Sequence, residues 1–152
     1  MKWIIGIAGL TAMLAFAASA LATPKHIAAC VAGVKKINGV PARTFCGPAK
    51  ATVRINGQTV SYKGGQCSKS LAGFTINIGT VVLGNLKQKP EYLGITVKAT
   101  AGAHNDGAVA VNHAGKGLAV LGTVTLKAGL RAGTFSGKVF GAPTHVSGSF
   151  TC

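Results

Sequence analysis

The chain has 152 residues and carries sixteen Lys and Arg against two acids, a net charge of +14 with its four histidines neutral. That is length for one domain. Two side-chain carboxylates leave almost no material for paired-carboxylate catalysis. The excess of cations bears on partners and solubility and says nothing about fold.

Lys2 gives a positive start, and Trp3 to Phe16 is almost wholly apolar, broken only by Gly6, Gly9 and Thr11. Ala20-Leu21-Ala22 then places small residues where a signal peptidase reads them. Residues 1–22 are therefore read as a secretory signal peptide, cut before Thr23 or, alternatively, after Ala20. The apolar run falls short of the ~20 residues that span a bilayer, which argues against an uncleaved anchor, and no later segment is long and apolar enough to span. Cleavage removes Lys2 and leaves fifteen Lys and Arg against two acids, a net of +13. The expected address is secreted, either extracellular or associated with the cell envelope, with no integral membrane segment after cleavage.

Ile27-Ala28-Ala29-Cys30 also matches the short pattern at which a bacterial lipoprotein cysteine is lipidated. Thr23-Pro24-Lys25-His26 separates it from the apolar run, and lipidating Cys30 would leave an odd number of cysteines. Cys30, Cys46, Cys67 and Cys152 are an even set in an exported chain, which predicts two disulfides. Three pairings are open. The favoured one joins Cys30 to Cys46 and Cys67 to Cys152, closing a short N-terminal loop and tying the last strand to an early one. No two cysteines stand two to four residues apart, so a zinc site is not expected.

Thr23 to Ala49 shows no clear pattern and is read as an extended arm over residues 23–49, pinned by a disulfide. From Ala51 the apolar period is two. Val53 and Ile55 alternate with Thr52 and Arg54, and Val60 and Tyr62 with Thr59, Ser61 and Lys63. Asn56-Gly57 between them predicts a two-residue type I′ hairpin that sets Val53 opposite Val60 and Arg54 opposite Thr59. Lys63-Gly64-Gly65 is not a phosphate loop, because its lysine precedes the glycines and no helix follows. It predicts a bulge or tight bend that aims Cys67 at the core. Alternation recurs at Phe74-Ile76-Ile78, Leu93-Ile95-Val97, Val109-Val111, Leu118 to Leu126, Phe135-Val139 and Val146-Phe150-Cys152. Turns containing Gly, Asn or Pro separate these runs. The expected fold is all-β, an antiparallel sandwich or barrel of about eight or nine short strands. No constant repeat period appears, which argues against a solenoid or propeller.

Val53-Arg54-Ile55-Asn56-Gly57, Cys67, Ile76-Asn77-Ile78-Gly79 and Ser149-Phe150-Thr151-Cys152 resemble the skeleton of small secreted actinobacterial β-proteins similar to the mycobacterial LpqH-like lipoprotein antigens. The resemblance spans about Ala49 to Cys152. It implies a β-sandwich, a Cys67–Cys152 disulfide, an envelope or extracellular address and no known catalytic activity. Residues 50–152 are accordingly taken as a β-sandwich domain. The chain departs from that skeleton in Cys30, Cys46 and its greater basicity.

No catalytic, metal or cofactor set is expected. Asp106, in His104-Asn105-Asp106-Gly107, and Glu91, after Pro90, read as turn residues. His104 and His113 flank an extended strand whose ends stand roughly 15–20 Å apart, too far to share a metal with Asp106. His145 opens the last strand with no evident partner. No nucleophile-elbow pattern appears. The remaining signal is charge. Arg54, Lys63, Lys98, Lys127 and Lys138 fall on the Thr/Ser-rich wet face and form the candidate basic face. It suits a non-catalytic module adhering to an anionic cell-wall polymer or surface, with no small-molecule substrate evident. The alternative is an antigen-like exported protein whose charge serves solubility. Nucleic acid is a second alternative, but Tyr62, Phe74, Phe135 and Phe150 are expected to face inward, leaving only Phe45, Tyr92 and Phe140 as stacking platforms.

Overall fold

The computed structural model describes residues 29–152, so the expected leader, its cleavage site and the start of the arm lie outside the described residues. Ten antiparallel strands follow in order: β1 (Gly33–Ile37), β2 (Val40–Phe45), β3 (Ala49–Ile55), β4 (Gln58–Ser70), β5 (Gly73–Val82), β6 (Tyr92–Val97), β7 (Gly102–His113), β8 (Lys116–Leu126), β9 (Ala132–Val139) and β10 (His145–Thr151). A short 3-10 turn, Ala128–Leu130, joins β8 to β9.

The sheet order is β1-β2-β5-β4-β3-β10-β9-β8-β7-β6, and a further pairing of β5 with β6 closes it. Strands β3 to β10 thus form an eight-stranded barrel, and β1 and β2 are two extra strands outside the ring. This corrects the sandwich expectation for residues 50–152: there is one closed sheet, not two facing ones. Alternation could not decide between them, because each buries one face of every strand. The deciding contact is the ladder from Phe74 opposite Val97 to Gly79 opposite Tyr92.

Eight strands leave an interior that side chains can fill. Here it holds Val53, Tyr62, Phe74, Ile76, Ile78, Leu93, Ile95, Val97, Val109, Val111, Val120, Val124, Leu126, Phe135, Val146 and Phe150. Every inward run named from the sequence is in place. The outward positions of β3, β4, β9 and β10 are mostly polar, whereas β7 and β8 also expose Ala108, Ala110, Ala119 and Leu121. Both expected disulfides form, Cys30–Cys46 and Cys67–Cys152. The second packs half-buried against the core.

The Asn56-Gly57 hairpin has the expected register, Val53 opposite Val60 and Arg54 opposite Thr59, with φ of 47° and 84° at the two turn residues. Gly64-Gly65 is a bulge, as expected. Lys50 faces Lys63 while Ala49 faces Gly65, so Gly64 is the extra residue, at φ 83°. Here β4 turns a corner. Its first half pairs with β3, and from Gly65 onward it pairs with β5. Strand β2 lies along the stretch of β5 that β4 leaves, with Phe45 opposite Gly79 and Ala42 opposite Val82.

Two expectations about local structure change. The described part of the arm is a β1–β2 hairpin turning at Asn38-Gly39, not an extended segment. Most of β1 is exposed, so it had no alternation to read. His104 to Gly107 is a bulge inside β7, not a turn between strands. Polar residues at a register shift resemble a turn because both leave backbone groups unpaired.

Phe45 and Tyr92 are neither barrel core nor exposed platforms. Tyr92 lies on the outer face over Gly94, with Phe45 of β2 against it at a centroid distance of 6.2 Å and the Arg43 guanidinium 5.1 Å from the Phe45 centroid. Phe45 and Tyr92, both buried, form a small second core where the hairpin meets the barrel, while Ala42 is buried on the opposite face of β2, beside Val82. The Tyr92 hydroxyl donates to Asn77 Oδ1 at 2.6 Å.

Candidate functional site

The outer wall made by β4, β3, β10, β9 and β8 is an ordered surface. Register places its outward side chains in rows running across the strands. One row is Ser61, Thr52, Ser149, Thr134 and Thr125; the next is Thr59, Arg54, Ser147, Ser136 and Thr123. Nine of these ten positions bear hydroxyls and the tenth is Arg54. Neighbours are spaced by about 4.8 Å across strands and about 6.7 Å between rows. Most of this surface borders a shallow open depression of about 480 Å³.

Cations bracket the hydroxyl rows. On one side runs Lys63, Lys50, Thr151, Ala132 and Lys127, the last joined by Lys127 N–H donating to Ala132 O at 2.9 Å. On the other side Lys138 stands between His145 and Leu121. Of the five residues expected to make the basic face, all are exposed, and Arg54, Lys63, Lys127 and Lys138 are brought together here. Lys98 is not. It follows β6 and lines a separate depression with Ser70 and Asp106.

Lys50 was missed. The signal was available, since the Asn56-Gly57 register continued inward places it opposite Lys63. Like charges directly opposite on a strand pair are unfavourable, and the wall keeps two. Both side-chain carboxylates lie elsewhere. Asp106 is in the β7 bulge, and Glu91 serves the far end of the barrel.

At that end Glu91 Oε1 accepts from the backbone N–H of Ala114 at 2.9 Å, and Oε2 meets His113 Nδ1 at 3.1 Å. Ala114 sits at φ 50° in the β7–β8 turn, an unfavourable conformation for a residue with a Cβ. Glu91 therefore clasps a tight turn to the loop before β6, a larger part than a turn residue plays. The His113 pair is exposed and adds little stability. His104 Nε2 lies 2.8 Å from Thr100 O, and His145 Nε2 lies 3.2 Å from Ser136 Oγ. Among the described residues no three His, Cys, Asp or Glu side chains stand together as a metal-holding group. No helix among them is long and apolar enough to cross a membrane.

Tyr62, on the inner face of β4, donates to Asn112 O at 3.0 Å. Burial, and then the nearby Glu91 carboxylate, push its pKa well above the usual value near 10; burial also raises Tyr92. These are the only two tyrosines. A phenol whose pKa is raised by folding contributes stability fully present below its unfolded value and lost as pH rises through the folded value. The folded protein is expected to show no phenolate absorbance step at pH about 10, where unfolded tyrosine titrates. Phenolate should appear only at higher pH, together with loss of structure. Two ordinary tyrosine titrations in folded protein would contradict this.

Comparison with family models, curated proteins and solved structures finds no match.

Proposed function

We propose that the protein is a secreted, non-catalytic binding module that adheres to an anionic polymer of the cell envelope through the β4-β3-β10-β9-β8 wall. The observation that carries this reading is the bracketing of that wall by Lys63, Lys50, Lys127 and Lys138, with Arg54 inside it and neither side-chain carboxylate on it. The Lys50–Lys63 juxtaposition costs stability in the free protein and is relieved when an anion lies across it. Two disulfides suit an oxidising, extracellular-type compartment.

A second reading is supported by the cations placed elsewhere. Lys35, Lys36, Lys69, Lys87 and Lys98 are spread over the remaining surface, as a solubility coat would be. Nucleic acid has less support: the wall presents no exposed aromatic platform, and Phe140, at 80% exposure, stands off its edge.

Retention on isolated, washed cell walls separates the two main readings. Wild-type retention should fall about tenfold or more between low and high salt, because the contacts displace counterions and are screened within ~10 Å at 0.1 M. Neutralising Lys50, Arg54, Lys63, Lys127 and Lys138 to Gln should weaken low-salt retention by a similar factor, while neutralising Lys35, Lys36, Lys87 and Lys98 should do much less. Equal effects of the two sets would favour the solubility coat.

A further inference from the structure

The cations account for attraction to a polyanion, but they do not account for the two hydroxyl rows between them. Ser136 is engaged by His145, and Thr123 donates to Asn105 Oδ1 at 3.0 Å. The hydroxyls of Ser61, Thr52, Ser149, Thr134 and Thr125 take no side-chain partner among the described residues. A serine or threonine hydroxyl offers one donor and two acceptor sites, so this row is an array of outward-facing groups of one kind, open to solvent and with no protein side chain engaging them. Its pitch across strands, about 4.8 Å, is comparable to the advance of one pyranose ring along an extended glycan.

We infer that the wall binds an extended anionic polysaccharide lying across the strands. Ser61, Thr52, Ser149, Thr134 and Thr125 exchange hydrogen bonds with its sugar hydroxyls, and Lys50, Lys63, Lys127 and Lys138 neutralise its acidic groups from either side. The inference rests on the anionic-polymer reading and narrows it to a sugar chain. A phosphate-only polymer satisfies the lysines and can accept from the hydroxyls, but it has no donors to offer, so it leaves their acceptor sites to water. No exposed aromatic stands in the rows, so recognition proceeds by hydroxyl matching and charge rather than by ring stacking.

The test measures binding of the purified protein to two polyanions, polygalacturonate and inorganic polyphosphate, at the same low ionic strength. Wild type is expected to bind both. A variant with Thr52→Val, Thr125→Val, Thr134→Val and Ser149→Ala keeps every charge and the strand-forming shape. Losing a few hydrogen bonds should weaken polygalacturonate binding about tenfold or more, and polyphosphate binding, which uses the hydroxyls only as donors, by a clearly smaller factor. A companion with Thr52→Ser, Thr125→Ser and Thr134→Ser keeps the hydroxyls and should bind polygalacturonate as wild type does, which guards against a folding defect. Equal loss on both polymers, or loss on neither, overturns the sugar inference and leaves the electrostatic reading standing. A wild type that binds neither polymer overturns both.

Discussion

Replacing Cys67 and Cys152 together by serine is expected to lower the unfolding free energy by about 4–5 kcal/mol. The bridge closes a loop with a sequence separation of 85, and restricting so long a loop in the unfolded chain is worth about that much on the loop-entropy account. The bridge also fastens the end of β10 to β4 across β3, at the seam where the first and last barrel strands meet. Urea unfolding followed by far-ultraviolet circular dichroism measures the loss. Removing the other bridge with Cys30→Ser and Cys46→Ser should behave differently. Its separation is 16, and it pins a hairpin outside the barrel. Loop entropy there amounts to about 3 kcal/mol, but it acts on the β1–β2 hairpin and on the small Phe45–Tyr92 core. We expect faster amide exchange in β1 and β2 and little change in the barrel's main transition. Equal destabilisation by the two double variants would show that the hairpin and barrel unfold as one unit.

Gly148→Val is expected to cost about 3 kcal/mol or more, the upper range for overfilling a packed interior. Gly148 faces inward on β10 directly opposite Phe135 of β9, and two residues on Phe150 faces Gly133. Each phenyl ring lies over the glycine of the other strand. A Cβ at Gly148 would come 2.5 Å from Phe135 Cζ and into the Thr52 carbonyl, and one at Gly133 would come 2.5 Å from Phe150 Cζ. The two aromatics thus cover two strand glycines, and the glycines make room for rings in a narrow barrel. Adding Phe135→Leu to Gly148→Val should recover part of the loss by clearing the ring, but not all, because the carbonyl remains. Thermal unfolding of the single and double variants measures the coupling. A Gly148→Val protein as stable as wild type would show that this face of β10 is not packed.

Legibility of the candidate wall followed the range of the contacts that build it. Ser61 and Thr59, Thr52 and Arg54, and even Lys50 opposite Lys63 are set by one local hairpin whose turn is written in Asn56-Gly57. The β8–β9 and β9–β10 neighbours are joined by short connections and follow the same logic. What sequence could not supply is the pairing of β10 with β3, which places Ser147 beside Arg54 and Ser149 beside Thr52 across more than half the chain. Without that pairing the hydroxyls belong to two separate patches, and Lys98 has the same claim to the basic face as Lys138.

By itself the sequence determined the inward and outward sides of the barrel strands from β3 onward, the hairpin register around Asn56-Gly57 and the bulge at Gly64-Gly65, and it favoured the disulfide pairing that forms among three open ones. All of these depend on period-two burial, on backbone conformations that few residues adopt, or on spacing within one segment. Tertiary structure alone decided that the sheet closes through β5 and β6 into a barrel, that β1 and β2 pack outside it, and that the inward glycines sit under Phe135 and Phe150. It also decided which of the scattered cations share a wall with the hydroxyl rows. Closure depends on the sum of small twists along eight strands and on contacts between residues far apart in the chain, and no local pattern records either.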